Sequence, residues 1–376
     1  MITIIGAGLG GLTLAALLHR NGIEVAVYDG DDSPHARSQG GMLDLHVESG
    51  QAALRAAGLF EEFQDLILEG GDATRVLDRT GNVWIDQAGH GARPEVPRSA
   101  LRRLLLSALP PHLIHWGKRA TGARDLGSRG YAVSFADGSA LTANRLVGAD
   151  GARSQIRTLL SPVGPEYTGA SFVELRIHQA PERHPELAQL VGEGSLFALS
   201  DNQGFFAHRE PHGEICVYVG LGVPADWSQR AAVTRHGLLK HFEGWADSLR
   251  SLIIESEGEL IVRPIYALPV GHSWKARSQI TLLGDAAHLM SPFAGEGANL
   301  AMQDGAELAQ AIIACPDDFA SALNAYEAPM FARGETAAAA SAEGLKMCLS
   351  PTAPSELADF FLTTVARRVL AHAVHE

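Results

Sequence analysis

The glycines near the start of the chain are spaced in a way that suits dinucleotide binding. Gly6, Gly8 and Gly11 form a GxGxxG fingerprint directly after the apolar run Ile2–Ile5. The first glycine permits a tight turn, the second lets the backbone approach a pyrophosphate, and the third lets a helix pack closely on a strand. The N-terminus of that helix offers free N–H groups to the phosphates.

An acidic residue follows at the position where a dinucleotide site needs one. Asp29 ends the next predicted strand, Glu24–Tyr28. An acid there can accept hydrogen bonds from ribose hydroxyls. The fingerprint, the helix and the acid together favour dinucleotide binding over a plain glycine-rich turn, but they do not choose between FAD and NAD.

Two further acid-glycine pairs lie much later in the chain. Asp150 and Gly151 follow a predicted strand, and taken alone this pair is as consistent with an ordinary turn as with a ligand site. Gly284 and Asp285 follow the buried strand Gln279–Leu283. Ligands bind at the carboxyl edge of open α/β sheets, so Asp285 can hold a polyol hydroxyl there.

A glycine-rich loop completes this third motif. Gly295 and Gly297 lie between Pro292 and a long predicted helix that begins near Ala298. The positive end of that helix dipole can stabilise an anion. An ordinary glycine-rich loop at the start of a helix would explain Gly295 and Gly297 alone. It does not explain their occurrence together with the Gly284–Asp285 pair and the GxGxxG fingerprint.

The elements that position these motifs change character along the chain. Helical periodicity is found in Leu12–Arg20, Glu48–Ala57 and Ser99–Leu109, and nearly everywhere beyond Ala298. Asp137 and Gly138 predict a hairpin between Tyr131–Phe135 and Ala140–Ala149. A mostly antiparallel sheet is predicted by the alternating segments Ser171–His178, Ser195–Ser200, Gly204–His208 and Glu214–Gly220. The fold class is therefore predicted to be α/β, with a Rossmann-like domain, a smaller β-sheet domain and C-terminal helices.

Composition excludes several classes of protein. The 376 residues suggest about two domains, and the net charge of −13 argues against nucleic-acid binding. The three cysteines, Cys216, Cys315 and Cys348, are far apart, so neither a disulfide framework nor a metal site is predicted. No signal peptide and no apolar stretch of membrane-spanning length is found. We expect a cytoplasmic protein with no membrane partner. We expect a monomer, with a homodimer as the alternative.

The three motifs, in this order and at these separations, resemble the class A (single-component) flavoprotein monooxygenases, the para-hydroxybenzoate hydroxylase-like group. The stretches Gly40–His46, Arg93–Arg98 and Gly284–Gly297 are similar to the tetracycline-inactivating members of TetX type. The resemblance implies bound FAD, transient NADPH or NADH, and hydroxylation of a small aromatic or polycyclic substrate by O2 through a C4a-hydroperoxyflavin. It makes tetracycline a candidate substrate and antibiotic resistance a candidate role.

The resemblance also assigns domains and residues. The FAD-binding domain is expected at 1–70, 98–165 and 264–330, the substrate domain at 71–97 and 166–263, and C-terminal helices covering the substrate pocket at 331–376. The FAD contacts carried over are Gly6, Gly8, Leu9, Gly11, Asp29, Asp44, Arg98, Asp150, Gly284, Asp285, Pro292, Gly295, Gly297 and Ala298. Gly30 stands where TetX-type enzymes have an arginine, so one adenosine contact is either absent or supplied by Arg37.

The substrate contacts follow less directly. Glu174, Ser195 and a residue near Cys216 occupy the polar substrate positions of the TetX type, and Phe206 matches an aromatic one. A solvated strand residue is an equally good interpretation of Glu174. The substrate contacts predicted are Glu174, Phe206, His208, Pro292 and Gly295, and Trp84, Phe197 and Phe205 are further candidates for the pocket wall.

The flavin performs the chemistry in this family, so no nucleophilic side chain is required. His46, His178 and His208 are candidate general bases, although each is more simply interpreted as structural, and His288 is interpreted as support for the third motif. The alternatives are an FAD-dependent reductase or oxidase, a flavin halogenase, a nicotinamide-only dehydrogenase and a non-catalytic FAD-binding protein. A halogenase would be expected to carry a WxWxIP motif, which this sequence lacks. A nicotinamide-only dehydrogenase would leave the third motif without a role.

Overall fold

The computed structural model describes residues 1–36, 41–91, 93–230 and 232–363. The chain divides into two compact units. Unit 1 comprises Met1–Ile67, Glu95–Glu166 and Tyr266–Ser341, and unit 2 comprises Leu68–Pro94, Tyr167–Ile265 and Ala342–Glu376. Within the described ranges, none of the helices is both long and apolar enough to span a membrane.

The strands are, in chain order, β1 (Ile2–Ile5), β2 (Val25–Tyr28), β3 (Met42–Asp44), β4 (Thr74–Asp78), β5 (Val83–Gln87), β6 (Glu95–Pro97), β7 (Ile114–His115), β8 (Ala120–Asp125), β9 (Tyr131–Phe135), β10 (Ala140–Ala143), β11 (Leu146–Gly148), β12 (Glu166–Ile177), β13 (Ser195–Ser200), β14 (Gln203–Glu210), β15 (Glu214–Gly222), β16 (Glu257–Ala267) and β17 (Ile280–Leu282). The helices are α1 (Leu9–Arg20), α2 (Gly50–Ala57), α3 (Phe60–Gln64), α4 (Arg98–Ser107), α5 (Ala180–Arg183), α6 (Pro185–Val191), α7 (Trp227–Arg230), α8 (Arg235–His241), α9 (Asp247–Ile254), α10 (Asp285–His288), α11 (Gly297–Ala314) and α12 (Phe319–Cys348).

Unit 1 is built on a parallel sheet with the strand order β17-β11-β1-β2-β7. Its central strands are buried along their whole length, as the continuous apolar run of β1 requires in a sheet that is covered on both faces. Gly10 lets α1 approach α11 closely, since a Cβ on Gly10 would lie 2.5 Å from the carbonyl oxygen of Ala301. Unit 1 therefore confirms the predicted Rossmann-like α/β domain.

Unit 2 is built on a seven-stranded sheet with the order β16-β12-β15-β14-β13-β4-β5. The pairs β12–β15, β15–β14, β14–β13 and β4–β5 are antiparallel, which confirms the predicted mostly antiparallel sheet, whereas β13 and β4 pair in parallel. Helices α6, α8 and α9 bury one face of it through Leu187, Leu238 and Leu249. Because strand residues alternate between faces, Glu174 and Phe206 lie on the opposite face.

Several predicted elements require correction. The hairpin at Asp137 and Gly138 is present, but the predicted strand Ala140–Ala149 is two strands, β10 in an antiparallel sheet with β9 and β11 in the parallel sheet. Helix α1 begins at Leu9 rather than Leu12 because the backbone turns into the helix directly after the extended Gly8. After Asp150 the chain forms a 3-10 turn at Arg157–Leu159.

Candidate functional site

The carboxyl edge of the parallel sheet in unit 1 brings the three motifs together. Strand β1 ends before Gly6, β2 before Asp29, β11 before the loop that contains Asp150, and β17 before Gly284 and Asp285. These strands are hydrogen-bonded neighbours that run in the same direction, so their ends meet at one edge. This is the position at which open α/β sheets bind ligands.

The glycines of the fingerprint divide into two kinds. Gly6 has φ +114°, and a Cβ there would lie 2.1 Å from the carbonyl oxygen of Ala149; a Cβ on Gly11 would lie 2.2 Å from the oxygen of Gly6. Among the described residues, no neighbouring atom lies within 4 Å of a Cβ placed on Gly8, the residue that precedes α1. Helix α1 begins without a side-chain cap and without an acid in its first turn. Gly6 and Gly11 therefore serve packing, while Gly8 faces open space beside N–H groups that a phosphate can use.

Asp29 holds the fingerprint loop. Its Oδ2 accepts a hydrogen bond from the backbone N–H of Ala7 at 2.6 Å, and its Oδ1 accepts one from that of Asp31 at 2.8 Å. The side chain is 7% exposed. A carboxylate has more than two acceptor sites, so Asp29 retains capacity for a ribose hydroxyl.

Arg102 on α4 completes this loop, and sequence reasoning missed it. Its Nε donates to the carbonyl oxygen of Ala7 at 3.0 Å, its Nη2 donates to Asp31 Oδ2 at 3.2 Å, and its Nη1 donates to the oxygen of Pro34 at 3.3 Å. The available signal was a charged residue on the buried face of a helix, next to Leu101. Arg37, the residue expected to supply an adenosine contact, lies outside the described residues.

Asp150 is engaged within its own loop. Its Oδ1 accepts from the hydroxyl of Ser154 at 2.5 Å, and its Oδ2 accepts from the backbone of Gln155 at 2.7 Å and of Ile156 at 3.2 Å. Burial raises the pKa of Asp150, while these hydrogen bonds act against the rise. Buried Arg157 connects this loop to the third motif, since its Nη1 donates to the carbonyl oxygen of Ala286 at 3.1 Å and to that of Asp285 at 3.4 Å.

A buried carboxylate fastens the turn before Asp285. Asp304 on α11 accepts from the backbone N–H of Gly284 at 2.9 Å and from His288 Nε2 at 2.6 Å, and Arg333 Nη2 donates to its other oxygen at 3.0 Å. Burial alone would lower the pKa of His288, but the Asp304 carboxylate prevails and the pKa is raised. His288 is therefore structural support for the third motif, as predicted. The Asp285 side chain itself accepts no hydrogen bond from another described residue.

The loop before α11 is joined to β3. Gly295 has φ +68°, and a Cβ on it would lie 3.1 Å from Asp44 Oδ1. Asn299 donates to the carbonyl oxygens of Asp44 at 2.8 Å and of Gly295 at 3.2 Å, and its Oδ1 accepts from the backbone of His46 at 2.9 Å. Sequence reasoning did not identify Asn299 as the residue that holds this loop in place. Pro292 begins the 3-10 turn that leads into the loop.

The remaining candidates of unit 1 have clear positions. His46 is buried, with Nε2 3.0 Å from Asp44 Oδ2 and Nδ1 3.6 Å from Glu296 Oε2. Arg98 is exposed at the start of α4, and its backbone N–H donates to the oxygen of Gly41 at 3.0 Å. Gly297 and Ala298 form the first turn of α11.

On unit 2, the face of the sheet that α6, α8 and α9 do not cover carries an aromatic cluster, defined here as Phe172, Phe197, Phe206 and Tyr218. Phe206 lies 5.2 Å from Phe172 and 5.9 Å from Phe197 between ring centroids. Phe361, in the helical stretch 355–363, lies 6.4 Å from Phe197.

Two of the further pocket candidates of unit 2 are placed elsewhere. Phe205 is fully buried in the helix-covered core against Phe242, because it alternates with Phe206, so it does not share that face. Trp84 is 48% exposed on β5, which is an edge strand, and it donates to Asp78.

Beside the aromatic cluster lies an ion-pair cluster, defined here as Glu174, Arg176, His208, Glu210, Cys216 and Arg263. Glu174 Oε1 accepts from Arg176 at 2.8 Å, and its Oε2 accepts from Arg263 at 2.6 Å. Burial would raise the pKa of Glu174, but the two arginines lower it below its ordinary value. Glu174 is only 6% exposed, so its interpretation as a solvated strand residue is wrong.

The other members complete the cluster. Arg176 Nη1 donates to Glu210 Oε2 at 2.5 Å. Burial lowers the pKa of His208 and raises the pKa of the Cys216 thiol to about 12. Possible ligand atoms of His208, Glu210 and Cys216 lie within 4.8 Å of one another, although Arg176 already engages Glu210. His178, the third candidate base, is paired with Glu214 at 2.5 Å.

Known proteins are similar to this chain in sequence and in fold. The model of an FAD binding domain family matches residues 1–218 and 269–340. Monooxygenase asqM of Emericella nidulans is 30% identical to this chain in an alignment 411 positions long. The alignment covers 89% of this chain and 92% of that protein. The chain belongs to the class A FAD-dependent monooxygenases.

Solved structures agree with this membership at the level of the fold. HpxO of Klebsiella pneumoniae, solved with FAD and uric acid, has a TM-score of 0.80 to this monooxygenase at 22% identity, over 99% of this chain and 95% of that chain. Tetracycline destructase Tet(51) has a TM-score of 0.72 at 17% identity, over 98% of this chain and 96% of that chain.

The carboxyl edge of the parallel sheet in unit 1 has features that suit the binding of FAD. Gly8 leaves open space beside the uncapped start of α1, which suits the pyrophosphate. Asp285 presents a carboxylate without a hydrogen-bond donor among the described residues, which suits a polyol chain. The residues present therefore fit the cofactor.

Proposed function

We propose that this monooxygenase uses NAD(P)H and O2 to hydroxylate a small aromatic or polycyclic substrate, with tetracyclines among the compounds to be tested. The observation that carries the proposal is the cradle at the carboxyl edge of unit 1, where Gly8 faces open space and Asp285 has a free acceptor. Bound FAD supplies the redox chemistry, since it takes a hydride from the nicotinamide and activates O2.

The protein's part is to hold and orient the cofactor. The backbone at Gly8 and Leu9 binds the pyrophosphate, helped by the dipole of α1. Asp29 reaches the adenosine ribose, and Asp285 reaches the ribityl chain. The remaining contacts proposed are Gly6, Gly11, Asp44, Arg98, Asp150, Gly284, Pro292, Gly295, Gly297 and Ala298. Of these, Pro292 and Gly295 are proposed to face both the isoalloxazine and the substrate.

The N–H groups at the N-terminus of α11 are proposed to stabilise negative charge. The loop at Gly295 is held by Asn299, so the N–H groups that begin α11 have a fixed direction. Preorganised donors of this kind stabilise negative charge without reorganising during the reaction. We infer that they stabilise the anionic edge of the reduced flavin ring.

The aromatic cluster of unit 2 supports an aromatic substrate. Phe206 is 8% exposed, and neighbouring rings pack against it at tilted and edge-to-face angles. Such rings offer large apolar area and favour stacking or edge contacts with an aromatic ligand. Phe206, Glu174 and His208 are the side chains proposed to contact the substrate on this sheet.

The test is oxidation of NADPH and of NADH by the FAD-loaded protein, with and without tetracycline and a panel of simple phenols, followed by mass spectrometry. We expect one compound to stimulate oxidation and to yield a product that is heavier by one oxygen atom. Stimulated oxidation that releases only peroxide would instead indicate a reductase or oxidase. A yellow protein that oxidises neither nicotinamide with any compound would contradict the proposal and favour a non-catalytic FAD-binding role.

A further inference from the structure

The ion-pair cluster of unit 2 places two arginines on the same sheet face as the aromatic cluster. A free guanidinium there would suit a carboxylate-bearing aromatic ligand, because arginine binds carboxylates in a planar, bidentate geometry. Arg176 is engaged on both sides, however, since it donates to Glu174 and to Glu210. Arg263 donates to Glu174 through Nε and its side chain is 54% exposed, so solvent screens any further ion pair that it forms.

The charges of the cluster cancel. Arg176 and Arg263 contribute two positive charges, and Glu174 and Glu210 contribute two negative ones. Burial lowers the pKa of His208 below its ordinary value, so the imidazole is neutral at pH 7. Cys216 has its pKa raised to about 12 by burial and stays protonated.

A carboxylate ligand would meet a poor environment here. It would bring a third negative charge close to Glu174 and Glu210, whose side chains are 7% and 14% exposed. It would also have to displace one of them from Arg176, leaving a buried carboxylate without its partner. A neutral ligand has neither cost.

We propose that this monooxygenase selects neutral aromatic substrates over carboxylate-bearing ones, with Glu174 and Glu210 as the specificity-determining residues that keep Arg176 occupied. This inference rests on the proposed function, in which this sheet face contacts the substrate. It narrows the substrate class of that same site.

Two polar atoms indicate which neutral group is preferred. His208 Nδ1 and Glu210 Oε1 are buried without a hydrogen-bond partner among the described residues, and they lie 4.0 Å apart. A hydroxyl or amide N–H of the ligand can donate to Glu210, and a hydroxyl oxygen can accept from His208 in the tautomer that carries the proton on Nδ1. The neutral substrate is therefore expected to bear a phenol hydroxyl or an amide.

The experiment uses salicylamide and salicylate, two ligands that differ in whether the group beside the hydroxyl is neutral or anionic. Their affinities for the FAD-loaded enzyme are measured by calorimetry without NADPH, for the wild type, Glu210→Gln and the matched control Glu214→Gln. Glu214 lies on the same sheet and its loss changes the net charge equally, but it pairs with His178 rather than with an arginine.

The decisive quantity is the salicylate affinity of Glu210→Gln relative to that of Glu214→Gln. We expect it to be at least about tenfold higher, equivalent to about 1.4 kcal/mol, and we expect the wild type to favour salicylamide. Equal salicylate affinities of the two variants, or a wild type that favours salicylate, would overturn the proposal. If Glu210→Gln does not fold, as judged by its thermal transition, Glu174→Gln takes its place with the same expectation.

The failure of this inference can be distinguished from the failure of the proposed function. Ligand selectivity is read from binding alone, whereas hydroxylation is read from the mass of the product. Selectivity without an oxygenated product would remove the function and leave the inference standing. An oxygenated product with equal salicylate affinities in the two variants would remove the inference and leave the proposed function standing.

Discussion

The two sheets of this monooxygenase present their candidate sites in different ways. At the edge of the parallel sheet of unit 1, the site is made largely of backbone, with Gly8 facing open space before an uncapped helix. On the antiparallel sheet of unit 2, the site is made of side chains, with rings around Phe206 and ion pairs around Arg176. Backbone groups can bind the FAD cofactor whatever the substrate is, whereas the side chains of a substrate site can differ from one relative to another.

The comparison explains why membership of the family and substrate preference are separate conclusions. The turn geometry at Gly6 tolerates almost no alternative residue, because a Cβ there would lie 2.1 Å from the carbonyl oxygen of Ala149. A strand residue such as Glu174 can be exchanged without altering the sheet, since its neighbours Val173 and Leu175 are the ones buried in the helix-covered core.

The largest effect is expected from Gly6→Ala compared with Gly8→Ala. The new methyl at position 6 would lie 2.1 Å from the carbonyl oxygen of Ala149, on a backbone with φ +114°. We expect a loss of more than about 3 kcal/mol of stability and little folded protein. Gly8→Ala meets no protein atom, so it should fold normally and bind FAD at least about tenfold more weakly. Thermal unfolding and FAD titration measure the two effects, and equal behaviour of the two variants would contradict the division of roles.

The second effect concerns the side chains that support the turn at Gly284. Asp304→Asn leaves His288 and Arg333 without their buried counter-charge, so we expect a loss of about 3 kcal/mol in the free energy of unfolding near pH 6. Glu307→Gln is the matched control, because Glu307 also pairs with Arg333 but is 33% exposed, and its loss should cost less than about 1 kcal/mol.

The Asp304 effect should depend on pH in a direction that the pKa shifts determine. The pKa of His288 is raised above 6.5, so its contribution to stability is complete below pH 6.5 and is lost as the pH rises through the raised value. The pKa of Asp304 is lowered below 3.8, so its contribution is present above pH 3.8 and is lost as the pH falls through the lowered value. The difference between wild type and Asp304→Asn should therefore shrink in alkaline urea unfolding. A difference that stays constant from pH 6 to pH 9 would argue against the ion pair.

The contrast between the units also explains what the sequence could and could not predict. The fingerprint, the strand that ends at Asp29 and the hairpin at Asp137 are specified by local turns and short-range patterns, and they were predicted. The parallel pairing of β4 with β13 joins segments that are far apart in the chain and has no local pattern. The single range Ala140–Ala149 was wrong because two short apolar strands follow one another with only a brief interruption.

Side-chain partners were the other missing information. Arg102 reaches the fingerprint loop from a separate helix, and Arg263 reaches Glu174 from a strand 89 positions later. Such pairs depend on which elements become neighbours, which no periodicity encodes. The same reason made the interpretation of Glu174 ambiguous, because a strand glutamate looks alike in sequence whether it is solvated or paired.

The next prediction concerns the side chain of Asp285, which is proposed to reach the ribityl chain at the backbone-built site of unit 1. Asp285→Ala should lower FAD affinity at least about tenfold while the protein stays folded, because this carboxylate accepts no hydrogen bond from another described residue. Asp285→Asn keeps an acceptor oxygen and should fall between the two. The ratio of flavin to protein absorbance after gel filtration measures occupancy. Full occupancy in Asp285→Ala would remove Asp285 from the site.

The smallest effect is expected from two neighbouring phenylalanines that lie on opposite faces of the sheet in unit 2. Phe206→Leu removes a ring from the aromatic cluster and should raise the KM of an aromatic substrate about threefold to tenfold, with FAD content unchanged. Phe205→Leu changes a fully buried ring that packs 4.3 Å from Phe242, so it should lower stability by about 1–2 kcal/mol and leave KM unchanged. Steady-state kinetics and thermal unfolding of both variants measure the split. If both changes moved KM equally, the substrate would not distinguish the two faces, and the idea that alternating side chains on this sheet set the specificity would be wrong.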